Sequence, residues 1–195
     1  MTKAEIIDFF NHHAPDWDAN MVRNEEVIKK ILDNAGVTAG KSVLDVACGT
    51  GVLIPDYLGR GVSSVTAIDI ADEMVKIAKN KFTADNVNII CGDVEEACFS
   101  HGFDCIVVYN AFPHFPDQKR LIKKLITLLN PDGTLTVAHG MSREKLLIHH
   151  SGSAGKISIP LMGENELAEL FEPELNVTTK ISDEKMYQVV GKILL

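Results

Sequence analysis

The sequence of 195 residues contains no long apolar run and no internal repeat. No stretch approaches the ~20 apolar residues that a membrane-spanning helix needs, so no membrane span is expected. The opening residues, MTKAE, lack the apolar core of a signal peptide. The length is enough for one well-cored domain and too short for two of ordinary size. We therefore expect a single domain over 1–195.

Cysteine is scarce, and no two cysteines show the C-x-x-C spacing. Three of the four lie in or next to apolar, strand-like segments. This usage is typical of reduced thiols in the cytoplasm, and the spacing predicts no cysteine metal site. The four residues are Cys48, Cys91, Cys98 and Cys105.

Basic charge is also scarce, because 19 Lys and Arg residues stand against 27 Asp and Glu residues, which gives a net charge of -8. The densest basic group, at 119–124, shares a helix with apolar residues that would face the core. We interpret it as a solvent-exposed helix face. Nucleic acids and membrane surfaces are therefore poor partners, and a small-molecule substrate is expected.

From residue 42 onward, strand-like and helix-like segments alternate with short loops between them. This alternation is typical of a parallel sheet covered by helices on both faces. Strands are predicted at 42–47, 64–69, 87–91, 103–109 and 134–139. Helices are predicted at about 51–59, 71–82 and 117–129. The turn at 131–133, Pro-Asp-Gly, is expected to separate the last of these helices from the fifth strand.

Two helices are predicted before the sheet. A capping box of Thr2 and Glu5 opens the first, which ends before Pro15, and the second runs from about 20 to 35. The last third of the chain differs from the alternating part. It predicts a short helix from Ser142, a flexible loop at 151–155 and a helix at 164–171, followed by strands at 175–181 and 186–194. The loop is either a mobile lid or a plain linker.

The segment 42–52, SVLDVACGTGV, is a buried strand that turns sharply through a Gly-x-Gly pair. Gly49 and Gly51 carry no Cβ that would keep a ligand from the backbone, and the next helix is expected to present its free N–H groups there. Ile54 stands where a dinucleotide fingerprint needs its third glycine. Asp45 would repel a pyrophosphate and suits a cationic ligand. Farther along, Asp69 ends the second strand, where a carboxylate can accept both hydroxyls of a ribose.

Residues 43–51, VLDVACGTG, resemble motif I of the class I S-adenosylmethionine-dependent methyltransferases. The resemblance covers roughly 9–140 and implies S-adenosylmethionine as the cofactor and methyl transfer as the reaction. In residues 92–94, GDV, the carboxylate would accept from the adenine amino group. Residues 9–18 resemble the segment that covers the cofactor in enzymes related to quinone biosynthesis, although Asn11 stands where Asp is common.

The segment 110–115, NAFPHF, lies at the fourth motif of the family. It lacks the Asn-Pro-Pro of methyltransferases that act on adenine or glutamine and is closer to those of small-molecule C-, O- and S-methyltransferases. The resemblance and the pattern together imply a set of cofactor-binding residues. These are Trp17, Asp45, Ala47, Gly49, Thr50, Gly51, Asp69, Ile70, Met74, Gly92, Asp93, Val94 and Asn110.

The predicted fold is a Rossmann-like, seven-stranded, mostly parallel sheet with helices on both faces and a C-terminal antiparallel hairpin. Both the alternating pattern and the family resemblance lead to this fold. Within the single domain, 1–36 would form a helical cover, 42–140 the cofactor-binding core, and 141–195 the substrate-side helices and the hairpin.

Six of the seven histidines are expected near the carboxyl ends of the strands, where open α/β sheets bind ligands. Methyl transfer to an acidic acceptor needs at most one base with a pKa near neutrality, and histidine fits that need. We select His139 as the first candidate base and His114 as the second. Alternatively, these two and His149 or His150 would hold a divalent metal.

Three functions are open on the sequence. The first is methyl transfer to an O, S or C nucleophile of a small molecule. The second is binding of S-adenosylmethionine or S-adenosylhomocysteine without catalysis. The third, a nicotinamide oxidoreductase, is disfavoured by Ile54 and Asp45.

Overall fold

The computed structural model describes residues 1–149 and 153–194. Within this part of the chain the strands are β1 (Ser42–Val46), β2 (Ser64–Asp69), β3 (Val87–Cys91), β4 (Phe103–Tyr109), β5 (Leu129–His139), β6 (Leu175–Ser182) and β7 (Tyr187–Ile193). The helices are α1 (Lys3–His13), α2 (Trp17–Asn20), α3 (Glu25–Asn34), α4 (Ile54–Gly59), α5 (Asp72–Lys81), α6 (Gln118–Ile126), α7 (Arg143–His149) and α8 (Glu164–Phe171). None of these helices is long and apolar enough to cross a membrane.

The strands form one sheet in the order β3-β2-β1-β4-β5-β7-β6. β7 runs antiparallel to β5 and β6, while β1 to β5 pair in parallel. The predicted fold class is therefore confirmed. Because the chain leaves β1 in one direction towards β3 and returns through β4 in the other, the carboxyl ends of β1 and β4 mark the switch point, where such sheets bind ligands.

Helices cover both faces of the sheet and bury one apolar cluster on each. On one face α6 and α8 pack against alternate residues of the central strands, such as Leu44, Ile106 and Leu135. On the other face α3, α4 and α5 pack against the intervening residues, such as Val43 and Val107. The central strands are thus buried on both faces, which explains their nearly continuous apolar sequences.

The capping residues determine where two of the N-terminal helices, α1 and α3, begin. The capping box at the start of α1 is confirmed, because the Glu5 amide donates to the Thr2 hydroxyl at 3.3 Å and the Thr2 amide to the Glu5 carboxylate at 2.7 Å. The second predicted helix began too early. α3 starts at Glu25, because the Asn24 side chain accepts from the Val27 amide at 3.2 Å and the chain before it is extended.

Two other predicted boundaries were wrong for a physical reason. The turn at 131–133 lies inside β5 rather than before it: Phe103 pairs with Leu129 but Cys105 pairs with Thr134, so the turn is a bulge in the strand. In addition, α4 begins at Ile54, since the segment before it is a series of turns. The predicted loop at 151–155 lies partly outside the described residues, and Ser153–Ile157 forms a 3₁₀ helix.

Gly51 and Gly40 provide a matched pair for testing how the glycine loop is packed. Both have positive φ, +84° and +80°, but a Cβ on Gly51 would lie 2.6 Å from the Phe82 ring, whereas one on Gly40 would meet nothing within 4 Å. We expect Gly40→Ala to lower the free energy of unfolding by about 1 kcal/mol through backbone strain alone. Gly51→Ala should cost about 2–4 kcal/mol, because overpacking is added.

Urea unfolding of the two variants and the parent chain measures this difference. Adding Phe82→Leu to Gly51→Ala should recover part of the loss. Equal losses for Gly51→Ala and Gly40→Ala would show that the Phe82 contact does not decide the need for glycine.

Candidate active site

A cavity of about 410 Å³ lies at the carboxyl ends of β1 to β4 and beneath the N-terminal segment. Its volume is typical of a small-molecule site. Most of the residues selected from the sequence line it: Trp17, Asp45, Ala47, Gly49, Asp69, Ile70, Met74, Gly92, Asp93, Val94, Asn110 and His114. Thr50, Gly51 and His139 are not among its lining residues.

Asp69 joins the end of β2 to the glycine loop. Its carboxylate accepts from the Gly49 amide at 2.8 Å and from the Ala71 amide at 2.9 Å. Burial raises the pKa of Asp69, and the backbone hydrogen bonds oppose that rise. A carboxylate has about four lone-pair sites, so both oxygens can still accept from a ligand.

Asp45 is the most unusual group in the cavity wall. It is 2% exposed, and its buried Oδ2 atom lies in the protein interior, where the buried Tyr57 hydroxyl of α4 faces the carboxyl. Burial, together with the nearby Asp69 carboxylate, raises the pKa of Asp45 to about 8. Together with Asp69 and Asp93, Asp45 makes the wall of the cavity acidic, which suits a cationic ligand.

Two residues of the wall adopt a backbone conformation that usually favours glycine. Ala47 has φ of 55° and Asn110 has φ of 54°. The Asn110 amide donates to the Ala138 carbonyl, and its side chain accepts from the Gly140 amide, both at 2.9 Å. Such strain is concentrated at functional sites, where surrounding contacts maintain it. Here it lies where β1 and β4 end.

The glycine loop uses its two glycines differently. Gly49 lines the cavity, and a Cβ there would lie 4.0 Å from Trp17 Nε1, which is ordinary contact. Gly51 does not line the cavity; its φ is +84°, and a Cβ there would lie 2.6 Å from Phe82 and 2.9 Å from Ile54. α4 starts three residues later than predicted, and the Gly49 and Gly51 amides of the loop donate to Asp69 and to the Cys48 carbonyl.

Thr50 secures the N-terminal segment instead of lining the cavity. Its hydroxyl donates to Asp18 at 2.5 Å, and Lys81 donates to the other oxygen of Asp18 at 2.6 Å. Asn11 acts at the same boundary, since its side chain accepts from the Glu73 amide at the start of α5 at 3.1 Å. These contacts hold the segment over the cavity.

Two cationic residues of the cavity wall were missed in the sequence. Lys3 forms an ion pair with Asp93, and its Nζ lies 3.4 Å from Glu95. Arg23 donates to the Val52 carbonyl and lies 2.9 Å from Asp56. Lys3 and Asp93 are 90 positions apart, so only the packing of α1 against the sheet edge brings them together.

His114 lies on the cavity wall, in the 3₁₀ helix Phe112–His114. Its Nδ1 lies 2.9 Å from the Ile157 carbonyl oxygen and 3.1 Å from the Ser158 hydroxyl. A carbonyl can only accept, so Nδ1 carries the hydrogen and Nε2 is the basic nitrogen of the neutral ring. Its ring also meets Phe10 edge to face, with centroids 5.1 Å apart.

His139 occupies a different environment. It is fully buried beside Tyr187, with ring centroids 6.1 Å apart, on the sheet face that α6 and α8 cover. The exposed His12 and His13 lie on α1, away from the main cavity. In the described residues no group of three His, Cys, Asp or Glu side chains could hold a metal. The side chain of His149 and the whole of His150 lie outside that part, so the three-histidine metal site stays a prediction.

The fold and the cavity define a Rossmann-like α/β protein with a nucleoside-sized site at the switch point of its sheet. Comparison with known proteins agrees with this description of the fold and the site. Residues 43–133 match the family model of the methyltransferase domain. The chain is 28% identical over 169 residues to malonyl-(acyl-carrier protein) O-methyltransferase from Priestia megaterium, which covers 83% of this chain and 61% of that protein.

Other proteins that are similar to this chain are also named methyltransferases. The chain is 33% identical over 135 residues to ubiquinone biosynthesis O-methyltransferase from Coxiella burnetii, covering 65% of this chain and 57% of that protein. The structure of the N-methyltransferase NodS from Bradyrhizobium japonicum, solved with S-adenosyl-L-homocysteine, superposes over the full length of both chains with a TM-score of 0.74 at 12% identity. A methyltransferase-like chain from Haloferax volcanii, in complex with the activator Trm112, gives 0.73 at 18% identity, over 95% of this chain and 98% of that one.

Residues 43–133 thus match a methyltransferase domain, and the chain is similar to curated O-methyltransferases. The family resemblance found in the sequence is thereby confirmed. The chain spans only 57–61% of the length of these two curated relatives. The similarities to solved structures, at this low identity, show the fold.

Proposed function

We propose that the protein transfers the methyl group of S-adenosylmethionine to an oxygen atom of a small-molecule acceptor. The observation that carries this proposal is the cavity at the switch point of the sheet, whose wall includes the carboxyl-bearing residues Asp45, Asp69 and Asp93, inside the region that matches the methyltransferase domain. An acidic wall suits a ligand with a positive charge, whereas a pyrophosphate would be repelled. The oxygen acceptor is proposed because two curated relatives are named O-methyltransferases.

The residues of the cavity fit the separate parts of the cofactor. Asp69 would accept from the ribose hydroxyls, and Asp93 from the adenine amino group. Ile70 and Met74 would contact the faces of the adenine ring. When bound, the cofactor supplies an electrophilic methyl group on a positively charged sulfur.

The remaining task of the protein is to align the acceptor, exclude water and remove a proton. His114 is the proposed base, because it lines the cavity and the Ile157 carbonyl fixes its Nδ1 hydrogen. Nε2 would then take the proton of the acceptor hydroxyl. Phe10 and Trp17, whose ring centroids are 5.6 Å apart, would exclude water from above. This assignment replaces His139, which is buried away from the cavity.

An isotopic label tests the proposed reaction. S-Adenosylmethionine carrying a labelled methyl carbon is incubated with the chain and a panel of phenols, carboxylic acids and thiols. We expect NMR to detect a new labelled O-methyl signal, with equal formation of S-adenosylhomocysteine. Tight binding of the cofactor without transfer to any acceptor of the panel would instead favour the non-catalytic binding protein.

A reducing compartment is the proposed location. All four cysteines are free thiols, two buried and two exposed, which fits the cytoplasm. Labelling of the thiols in freshly lysed cells measures this. Modified or disulfide-linked Cys91 and Cys98 would argue for an oxidising compartment.

A further inference from the structure

We infer that Lys3 is a positioning residue, which fixes the Asp93 carboxylate in the direction that recognises the nucleobase. The inference rests on the proposed function, in which Asp93 accepts from the adenine amino group. It adds a role for a residue that lies outside the matched region 43–133. Lys3 and Asp93 both line the cavity, and they form an ion pair in its wall.

Helix α1 brings Lys3 to this part of the wall. Lys3, Ile6 and Phe10 have the i, i+3, i+7 spacing of one helix face, and all three line the cavity. Phe10 lies beside His114, whereas Lys3 stands seven residues earlier, which is about 10 Å along the helix axis. Lys3 therefore acts on a part of the cavity that is separate from the proposed base.

The turn after β3 holds the Asp93 carboxylate from two directions. The Glu95 amide donates to Oδ1 at 2.9 Å, and Lys3 donates to Oδ2. The Asp93 side chain is only 14% exposed, so these donors determine how its oxygens are oriented. Because a carboxylate has about four lone-pair sites, each oxygen keeps one site for a ligand.

The charges around Asp93 show why Lys3 is needed there. Arg120 on α6 donates to both oxygens of Glu95, at 2.6 Å and 2.7 Å. In the described part of the chain, Lys3 is the one ion-pair partner of Asp93. The hydrogen bond to Asp93 raises the pKa of Lys3, which stays charged at neutral pH. Without Lys3, the neighbouring Glu95 carboxylate would repel Asp93 and turn it from its present direction.

A carboxylate in a fixed direction distinguishes two closely related bases. The amino group of adenine donates hydrogen bonds, so Asp93 can accept from it. Hypoxanthine has a carbonyl oxygen at the same position, and two acceptors that face each other leave both without a donor. A site that hydrogen-bonds one group rejects an analogue that lacks it, provided that the site cannot turn away.

Calorimetric titration with S-adenosylhomocysteine and S-inosylhomocysteine, its hypoxanthine analogue, measures this base preference. We expect the parent chain to bind the adenine nucleoside about 10–100-fold more tightly, since one hydrogen bond to a charged group differs between the two. Lys3→Met keeps the apolar stem and should reduce the preference by about fivefold, the upper value for a partly exposed ion pair.

Two further variants separate positioning from anchoring of α1. Lys3→Arg keeps the charge and should retain most of the preference. Lys29→Met removes an exposed ion pair with Asp33 on α3, outside the cavity, and should leave the preference unchanged. If Lys3→Met does not fold, about 1 M salt applied to the parent chain takes its place, because salt screens the partly exposed pair and should lower the preference.

The outcomes distinguish this inference from the proposed function. A parent chain that prefers adenine, together with a Lys3→Met variant that keeps the full preference, would overturn the inference alone. Equal weakening of both nucleosides in Lys3→Met would also overturn it, because Lys3 would then only anchor α1. Failure of the parent chain to bind either nucleoside would overturn the proposed function as well.

Discussion

Replacing Asp69 by alanine is expected to weaken the binding of S-adenosylhomocysteine by at least about 100-fold. Two hydrogen bonds from ribose hydroxyls to a charged carboxylate contribute about 1.5–3 kcal/mol each, and every 1.4 kcal/mol is about tenfold in affinity. The substitution also frees the Gly49 and Ala71 amides that Asp69 now accepts from. Both effects act on the same wall of the cavity, so the loss should be large.

Isothermal titration of the parent chain and the variant measures the loss. The matched control is Asp104→Asn, because Asp104 likewise accepts from a backbone amide, that of Ser42 at 2.8 Å, but lies at the opposite end of the sheet. The control should lose stability without losing affinity. An Asp69 variant that folds and binds within threefold of the parent would remove Asp69 from the proposed cofactor site.

Replacing His114 by alanine should lower kcat by about 10²–10⁴-fold, the usual contribution of a general base. The affinity for S-adenosylhomocysteine should change little, because the proposed role of His114 concerns the acceptor. His114→Gln keeps much of the volume but supplies no base at neutral pH, so it should lose similar activity. The rates are measured with the acceptor found by the methyl-label experiment.

His101→Ala is the control for this prediction. The His101 Nδ1 also lies near a backbone carbonyl, that of Gly102 at 3.0 Å, but its ring is exposed and outside the cavity. Its removal should leave kcat unchanged. Full activity of the His114 variant, combined with loss in a His139 variant, would restore the assignment made from the sequence.

The sequence predicted the sheet well because each strand is a short β-branched run that ends in a recognisable turn. The ends of β1 and β2 therefore brought Asp45 and Asp69 to one edge, as the motif spacing implied. The same logic did not bring His139 to the wall of the cavity. Leu135, Val137 and His139 alternate along β5, so all three point to the face that α6 and α8 cover. The position of β5 could be predicted from the sequence. The direction of the His139 side chain could be predicted only by counting alternate residues along the strand.

Other features depend on contacts between distant segments. Lys3 lines the cavity because α1 packs over the sheet edge, and Phe82 occupies the space that a Cβ on Gly51 would need. The bulge in β5 arises from pairing with β4, not from the local Pro-Asp-Gly sequence alone. Local patterns carry no information on such pairings. The N-terminal segment was predicted as a cover, but the Thr50 contact that fixes it was not.

Titration of the purified chain with S-adenosylhomocysteine, followed by titration with NAD⁺, tests the central claim most directly. The account predicts one nucleoside per chain, bound in the cavity between Asp45 and Asp69, and no measurable binding of the dinucleotide. Tight binding of NAD⁺ without any heat from the nucleoside would contradict it.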